Sequence, residues 1–127
     1  MILGIGVDIV DIERIKQKVD LGSGFMDYVF SAEEMSACEH KSNRYESLAA
    51  RFAAKEAFLK ALGTGLDAAF ELNQLEVRND EAGKPFFVYT AVVHQTLLNI
   101  IGSIPDIQVS LSHSKEQAIA FVIFNKI

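Results

Sequence analysis

The chain has 127 residues, of which 50% are hydrophobic and 23% charged, and it carries a formal net charge of -5. This composition excludes a disordered chain, and the length suits one domain, residues 1–127, better than two. The acidic balance argues against general nucleic-acid binding, which needs a surplus of Lys and Arg to neutralise phosphates, and no apolar run reaches the ~18 residues of a membrane span.

The single cysteine, Cys38, cannot make an internal disulfide, and no second cysteine supports a zinc site. The start, MILGIGVDIVDIERI, has neither the basic opening nor the small-residue cleavage site of a signal peptide, so a cytoplasmic protein is expected.

In chain order, residues 2–9 predict a short β-branched strand with Ile5, Val7 and Ile9 on one face. The other face holds Gly4, Gly6 and Asp8, one carboxylate among almost no side chain. Asp11 can cap a helix over 12–19, with Ile12, Ile15 and Val19 inward and Arg14 and Lys18 on the outer face. LGSG, 21–24, breaks the chain. Ser31 to Glu34 reads as a capping box before a short helix ending near His40. A long helix from Asn43 to Leu62 follows, stopped by Gly63. LNQLEVRND and KPFFVYT predict a hairpin around residues 81–83. A helix over 91–101 comes next, then a second hairpin from IQVSLSH and QAIAFVIF. Helices early and strands late give an α+β class, an antiparallel sheet with helices packed on it.

The long helix carries charges on a largely apolar circumference. Ala53, Ala57 and Ala61 form a stripe of small side chains, and Glu56 and Lys60 stand at its edge, one helical turn apart. An exposed Glu–Lys pair worth about 0.2–0.5 kcal/mol would explain that spacing. Small residues beside a carboxylate also leave room for a ligand, and the glycines of Gly63-Thr64-Gly65 allow close approach of backbone. Neither a Walker loop nor a dinucleotide fingerprint is present. Asp8 could end its strand by bonding a nearby turn. With Glu56 it could instead supply hard oxygen ligands for Mg²⁺, which takes one or two protein carboxylates and completes its shell with water and phosphate. His113, at the mouth of the last hairpin, reads as solvated or as a ligand contact. His40, His94 and Cys38 read as structural.

Taken together, GIGVDIVDIERI, FSAEE, RFAAKEAFLKALGTG, GKP and VSLSHSKEQAIAFVI closely resemble the holo-acyl-carrier-protein synthases, the small single-domain class of 4′-phosphopantetheinyl transferase. The five blocks stand in the family's order and cover nearly the whole chain. The resemblance implies transfer of the phosphopantetheine arm of coenzyme A to a serine of an apo-acyl carrier protein in fatty acid biosynthesis, releasing adenosine 3′,5′-bisphosphate. It implies Mg²⁺ as cofactor and a homotrimer with active sites between neighbouring subunits. Asp8 and Glu56 match the metal carboxylates, and Lys60 matches the lysine on the coenzyme's diphosphate. Arg51, Gly63, Gly65, Ser112 and His113 match positions lining the nucleotide and its 3′-phosphate. Arg14 matches a position on the carrier-docking helix, and Lys18 shares its face.

These residue types suit phosphoryl transfer, where the protein mainly positions groups and stabilises charge. Glu56, directly or through a metal-bound water, is the nearest base for the serine proton. A departure from the family lies in DLGSGFMDYVF, where many relatives carry arginines and this chain has no basic residue from Asp20 to Glu39. Carrier docking then leans on Arg14 and Lys18, with Lys41 and Arg44, or on apolar contacts from Phe25, Met26 and Tyr28. Two rival readings use the same residues: a Mg²⁺-dependent phosphohydrolase acting on coenzyme A, and a non-catalytic trimer that binds coenzyme A or a carrier.

Overall fold

The computed structural model describes residues 1–64 and 70–127. Strand β1 (Ile2–Asp11) leads into helix α1 (Ile12–Leu21), then α2 (Phe25–Val29), α3 (Ala32–Cys38) and the long α4 (Arg44–Leu62). A 3-10 turn (Leu72–Gln74), the hairpin β2 (Leu75–Asn79) and β3 (Pro85–Tyr89), helix α5 (Ala91–Ile101) and the hairpin β4 (Asp106–His113) and β5 (Gln117–Asn125) complete the chain. The larger sheet has the order β1-β5-β4 and is antiparallel throughout, as is the β2-β3 pair. The α+β class and both hairpins are therefore as the sequence predicts.

Helix α4 is the axis of the fold. Its start needs no side-chain cap from Asn43, and its end is Gly63 at φ 86°, whose amide donates to the carbonyls of Leu59 and Lys60. One side of α4, with Ala53, Ala57, Phe58 and Ala61, packs with the sheet residues Ala120, Val122 and Phe124. The other side, with Leu48, Ala49 and Leu59, packs with Ile12, Ile15 and Val29 from α1 and α2. Phe58 meets Phe87 and Phe124 edge-on at centroid distances of 5.1 and 5.0 Å, and burying such a ring contributes about 1.5–3 kcal/mol.

The alanine stripe has a different use from the ligand space that the sequence suggests. A Cβ built on Gly6 would lie 1.8 Å from the Ala57 carbonyl oxygen, and one on Gly4 would lie 2.2 Å from that of Ala61. The glycine face of β1 and the alanines of α4 let strand and helix backbones touch. That contact sets Asp8, next on the same face of β1, against the last turns of α4.

Local signals elsewhere hold with small changes. Ser31 and Glu34 form the full capping box. Asp11 stands at the N-cap of α1 without a capping bond; its carboxylate instead accepts from Gln117 Nε2 at 3.2 Å, tying β1 to β5. Helix α2 departs from the expectation: residues 21–24 read as a break, yet after Gly24, at φ 85°, the chain makes one short helix. Among the described residues no helix is long and apolar enough to cross a membrane.

Candidate active site

Asp8 is carried by β1, Glu56 and Lys60 by α4, and Arg14 and Lys18 by α1. Asp8, Glu56, Arg14 and Lys18 line one cleft of about 460 Å³, together with Phe52 and Gln117. Lys60 reaches the same carboxylate: its ammonium donates to Asp8 Oδ1 at 3.1 Å and to the Val7 carbonyl at 3.0 Å. Lys60 thus pairs across to the strand, and the simple Glu56–Lys60 helix pair is not the bond it makes.

The electrostatics are those of two carboxylates drawn together. Burial, and then the Asp8 charge, push the Glu56 carboxyl above the ordinary value, with Lys60 and Lys18 opposing. Asp8 Oδ2 is buried and has no hydrogen-bond partner among the described residues. An unpaired buried carboxylate oxygen is costly, and a divalent cation is the partner that would satisfy it. Among the described residues no group of three or more His, Cys, Asp or Glu could hold a metal. Two carboxylates suit Mg²⁺, which keeps open positions for water and phosphate oxygens. The donor set therefore fits that ion.

The remaining expected site residues are not gathered in this cleft. Arg51 is buried five residues before Glu56, about 140° around the helix. It donates to Ser47 Oγ, and at 3.4 Å to the Val77 carbonyl and to Asn79 Oδ1. It lines a separate cleft with Lys41, Arg78 and Gly83. Ser112 and His113 sit at the end of β4, in a shallow cleft with Ile9 and Ile119. Gly63 closes α4, and Gly65 lies outside the described residues.

Sequence reasoning misses two contributors. Phe52 lines the Asp8–Glu56 cleft and also a neighbouring apolar cleft of about 370 Å³, which shares Arg14, Lys18 and Glu56. Lys55, beside Glu56, is fully buried and pairs with buried Glu34 at 2.6 Å. Burial pushes the Lys55 ammonium below the usual lysine value, and the Glu34 carboxylate opposes the shift. A lysine on an apolar helix needs a carboxylate, and the capping-box Glu34 is the signal that could have named it.

A profile of the 4′-phosphopantetheinyl transferase superfamily matches residues 4–122. The holo-[acyl-carrier-protein] synthase of Cytophaga hutchinsonii is 64% identical over 126 residues, covering 99% of each chain. That of Halothermothrix orenii is 45% identical over 124 residues, covering 97% of each. Among solved structures, the holo-(acyl-carrier-protein) synthase of Bacillus anthracis, in complex with CoA (3′,5′-ADP), superimposes with a TM-score of 0.82 at 35% identity, over 100% of this chain and 99% of that one. The Neisseria meningitidis enzyme gives a TM-score of 0.87 at 35% identity, over 99% of this chain and 100% of that one. The sheet and the long helix described above are thus shared with solved synthases, and the chain belongs to the 4′-phosphopantetheinyl transferase superfamily.

Proposed function

We propose that the chain is a holo-[acyl-carrier-protein] synthase, an enzyme that transfers the 4′-phosphopantetheine arm of coenzyme A to a serine of an apo-acyl carrier protein, in fatty acid biosynthesis. The observation that carries this reading is the pairing of Glu56 with the unsatisfied Asp8 carboxylate in one cleft, beside Lys60. The 64% identity to a curated synthase supports it over its full length.

The serine oxygen forms a bond to the phosphorus that bears the pantetheine. The bond from that phosphorus to the bridging diphosphate oxygen breaks, and adenosine 3′,5′-bisphosphate leaves with the electron pair. Glu56, directly or through a bound water, is the nearest base for the serine proton. Lys60, half exposed, places its ammonium on the diphosphate oxygens as a mobile point charge. Asp8 and Glu56 would hold Mg²⁺, which when bound neutralises charge on the diphosphate. Arg14 and Lys18, on the rim of the cleft, face an acidic carrier.

The active assembly is a homotrimer in this reading. Ile5, Val7 and Ile9 of β1 are 53%, 47% and 56% exposed, and Ile119 and Phe121 of β5 are 39% and 40% exposed. They form one apolar sheet face opposite α4, larger than an isolated surface hydrophobe requires. Arg51 and the Asp8–Glu56 pair also lie on different sides of α4, so a nucleotide held by both within one protomer would have to wrap around the helix. A neighbouring subunit's Arg51, Ser112 or His113 meets that need without wrapping. Sedimentation equilibrium is the check, and a fully active monomer would overturn the trimer. We assign the protein to the cytoplasm and its nucleotide contacts to Arg51, Gly63, Ser112 and His113.

The decisive test mixes the protein with apo-carrier, coenzyme A and Mg²⁺ and weighs the carrier by mass spectrometry. A gain of one phosphopantetheine is expected. An unmodified carrier would sink the assignment, and cleavage of coenzyme A without a carrier would point to a hydrolase instead.

A further inference from the structure

Helix α2 is five residues long, too short to persist by its own hydrogen bonds. It follows Gly22 and Gly24, at φ 70° and 85°, and its N-cap makes no side-chain bond. Core packing through Val29, with Phe25 and Met26 beside it, holds it from outside, and two side chains bond its backbone. Asn73 Nδ2 donates to the Asp27 carbonyl at 2.9 Å. Lys55 Nζ donates to the Val29 carbonyl at 2.5 Å, to the Leu72 carbonyl at 3.0 Å and to Glu34 Oε1 at 2.6 Å. All three protons of the ammonium are used. Glu34 is equally committed: Oε1 also accepts from the Ser31 amide at 3.1 Å, and Oε2 accepts from the Val77 amide at 2.9 Å.

This network ties α2, α3, the 3-10 turn and β2 to α4, one residue from Glu56. The segments it ties are the wall of the apolar cleft: Phe25, Tyr28, Val29 and Leu72 line it, and it opens onto Arg14, Lys18 and Glu56. Stability alone is a poor reason for such a pair, because packed hydrophobic residues of similar volume often stabilise a fold as well or better. A hydrophobic side chain cannot, however, grip two backbone carbonyls and so fix where a short helix stands.

We propose that Lys55 and Glu34 are positioning residues for carrier recognition: by pinning α2 they place Phe25 and Tyr28 at the cleft where the apo-carrier docks. The proposal rests on the synthase reading above. It also accounts for how this chain docks a carrier with no basic residue from Asp20 to Glu39, since a fixed apolar wall beside Arg14 and Lys18 takes over from the missing charges.

The test is steady-state kinetics on the full enzyme, varying carrier and coenzyme A separately. The variants are the near-isosteric pair Lys55→Met with Glu34→Gln, the single Asn73→Ala that cuts the second tie, and Val93→Ala as a control. Val93 is buried in α5, so its truncation weakens the core without touching α2. Partial unfolding lowers the amount of active enzyme and moves neither KM. The proposal expects the carrier KM to rise about five-fold or more in Lys55→Met/Glu34→Gln and less in Asn73→Ala, with the coenzyme A KM within about two-fold of wild type. Val93→Ala should leave both KM values in place. An unchanged carrier KM in the double variant overturns the proposal; if the double variant does not fold, the near-isosteric single Glu34→Gln is read in its place, and an unchanged carrier KM there overturns it equally. Wild-type enzyme that modifies no carrier would instead overturn the synthase reading.

Discussion

Lys60 Nζ sits 3.1 Å from Asp8 Oδ1, so the cation of α4 already occupies one oxygen of the strand carboxylate that faces Glu56. A metal arriving at Asp8 competes with that ammonium and is repelled by it. The Lys60 side chain is 54% exposed and that of Asp8 15%, so water screens the ammonium and the pair is worth about 1 kcal/mol. Lys60→Met should therefore tighten Mn²⁺ binding to the free enzyme about three- to five-fold, read by electron paramagnetic resonance. Turnover should fall at least about ten-fold if Lys60 is the cation proposed to sit on the diphosphate. Unchanged Mn²⁺ affinity would mean that Lys60 leaves Asp8 without cost.

Asp8→Ala should remove most activity at low Mg²⁺ with the fold intact, since the substitution deletes a proposed metal ligand and a buried unpaired oxygen together. Thermal melts with coenzyme A and Mg²⁺ should raise Tm for the wild type and much less for the variant, because only native-state binding stabilises. Equal shifts in both proteins would contradict the metal role of Asp8.

Glu56 is held above the ordinary carboxylate value by burial and by Asp8. A carboxyl that binds its proton more tightly when folded costs stability as the pH rises from the unfolded value through the folded one. In metal-free buffer, Glu56→Gln should then be at least as stable as wild type at neutral pH. The difference should vanish below the ordinary carboxylate range, where Glu56 is protonated in both states. Urea melts across pH 3–8 would check it, about 1–3 kcal/mol per molar being the usual denaturant slope. A Glu56→Gln protein less stable than wild type at neutral pH would refute the burial argument.

Gly6→Ala should be among the most damaging single substitutions, because its Cβ would lie 1.8 Å from the Ala57 carbonyl oxygen. Neither backbone can yield without moving Asp8 away from α4. A loss of about 3 kcal/mol or more is expected, with activity lost along with the fold. Chemical denaturation that gave wild-type stability would show that β1 and α4 separate easily.

Charge reversal at Arg14 and Lys18 should raise the carrier KM several-fold and leave coenzyme A affinity nearly unchanged, since rim charges mostly steer association. Added salt should weaken the wild type more than the variant, which has already lost the attraction that salt screens. Kinetics at two ionic strengths would decide it, and an unchanged carrier KM would move docking to another surface.

Signals confined to a few residues are legible in the amino-acid sequence alone. The Ser31–Glu34 capping box, the stop of α4 at Gly63 and the helix over 91–101 are each local, because caps and glycines act on their own turn. Asp8, Glu56 and Lys60 are singled out as candidates by residue type and family resemblance. Which of them touch is not legible there. Lys60 bonds to a strand 52 residues away rather than to Glu56, four residues away, because the glycine–alanine contact brings β1 within reach. Arg51 and Glu56 share a helix yet face different clefts, which helical phase predicts only once the neighbours of each side are known. Lys55 and Glu34 meet across 21 residues of chain, and the same ammonium bonds the last residue of α2. Local sequence determines where backbone hydrogen bonds begin and end; the burial of charges, the partner each one takes and the cleft it faces depend on which distant segments the core packs together.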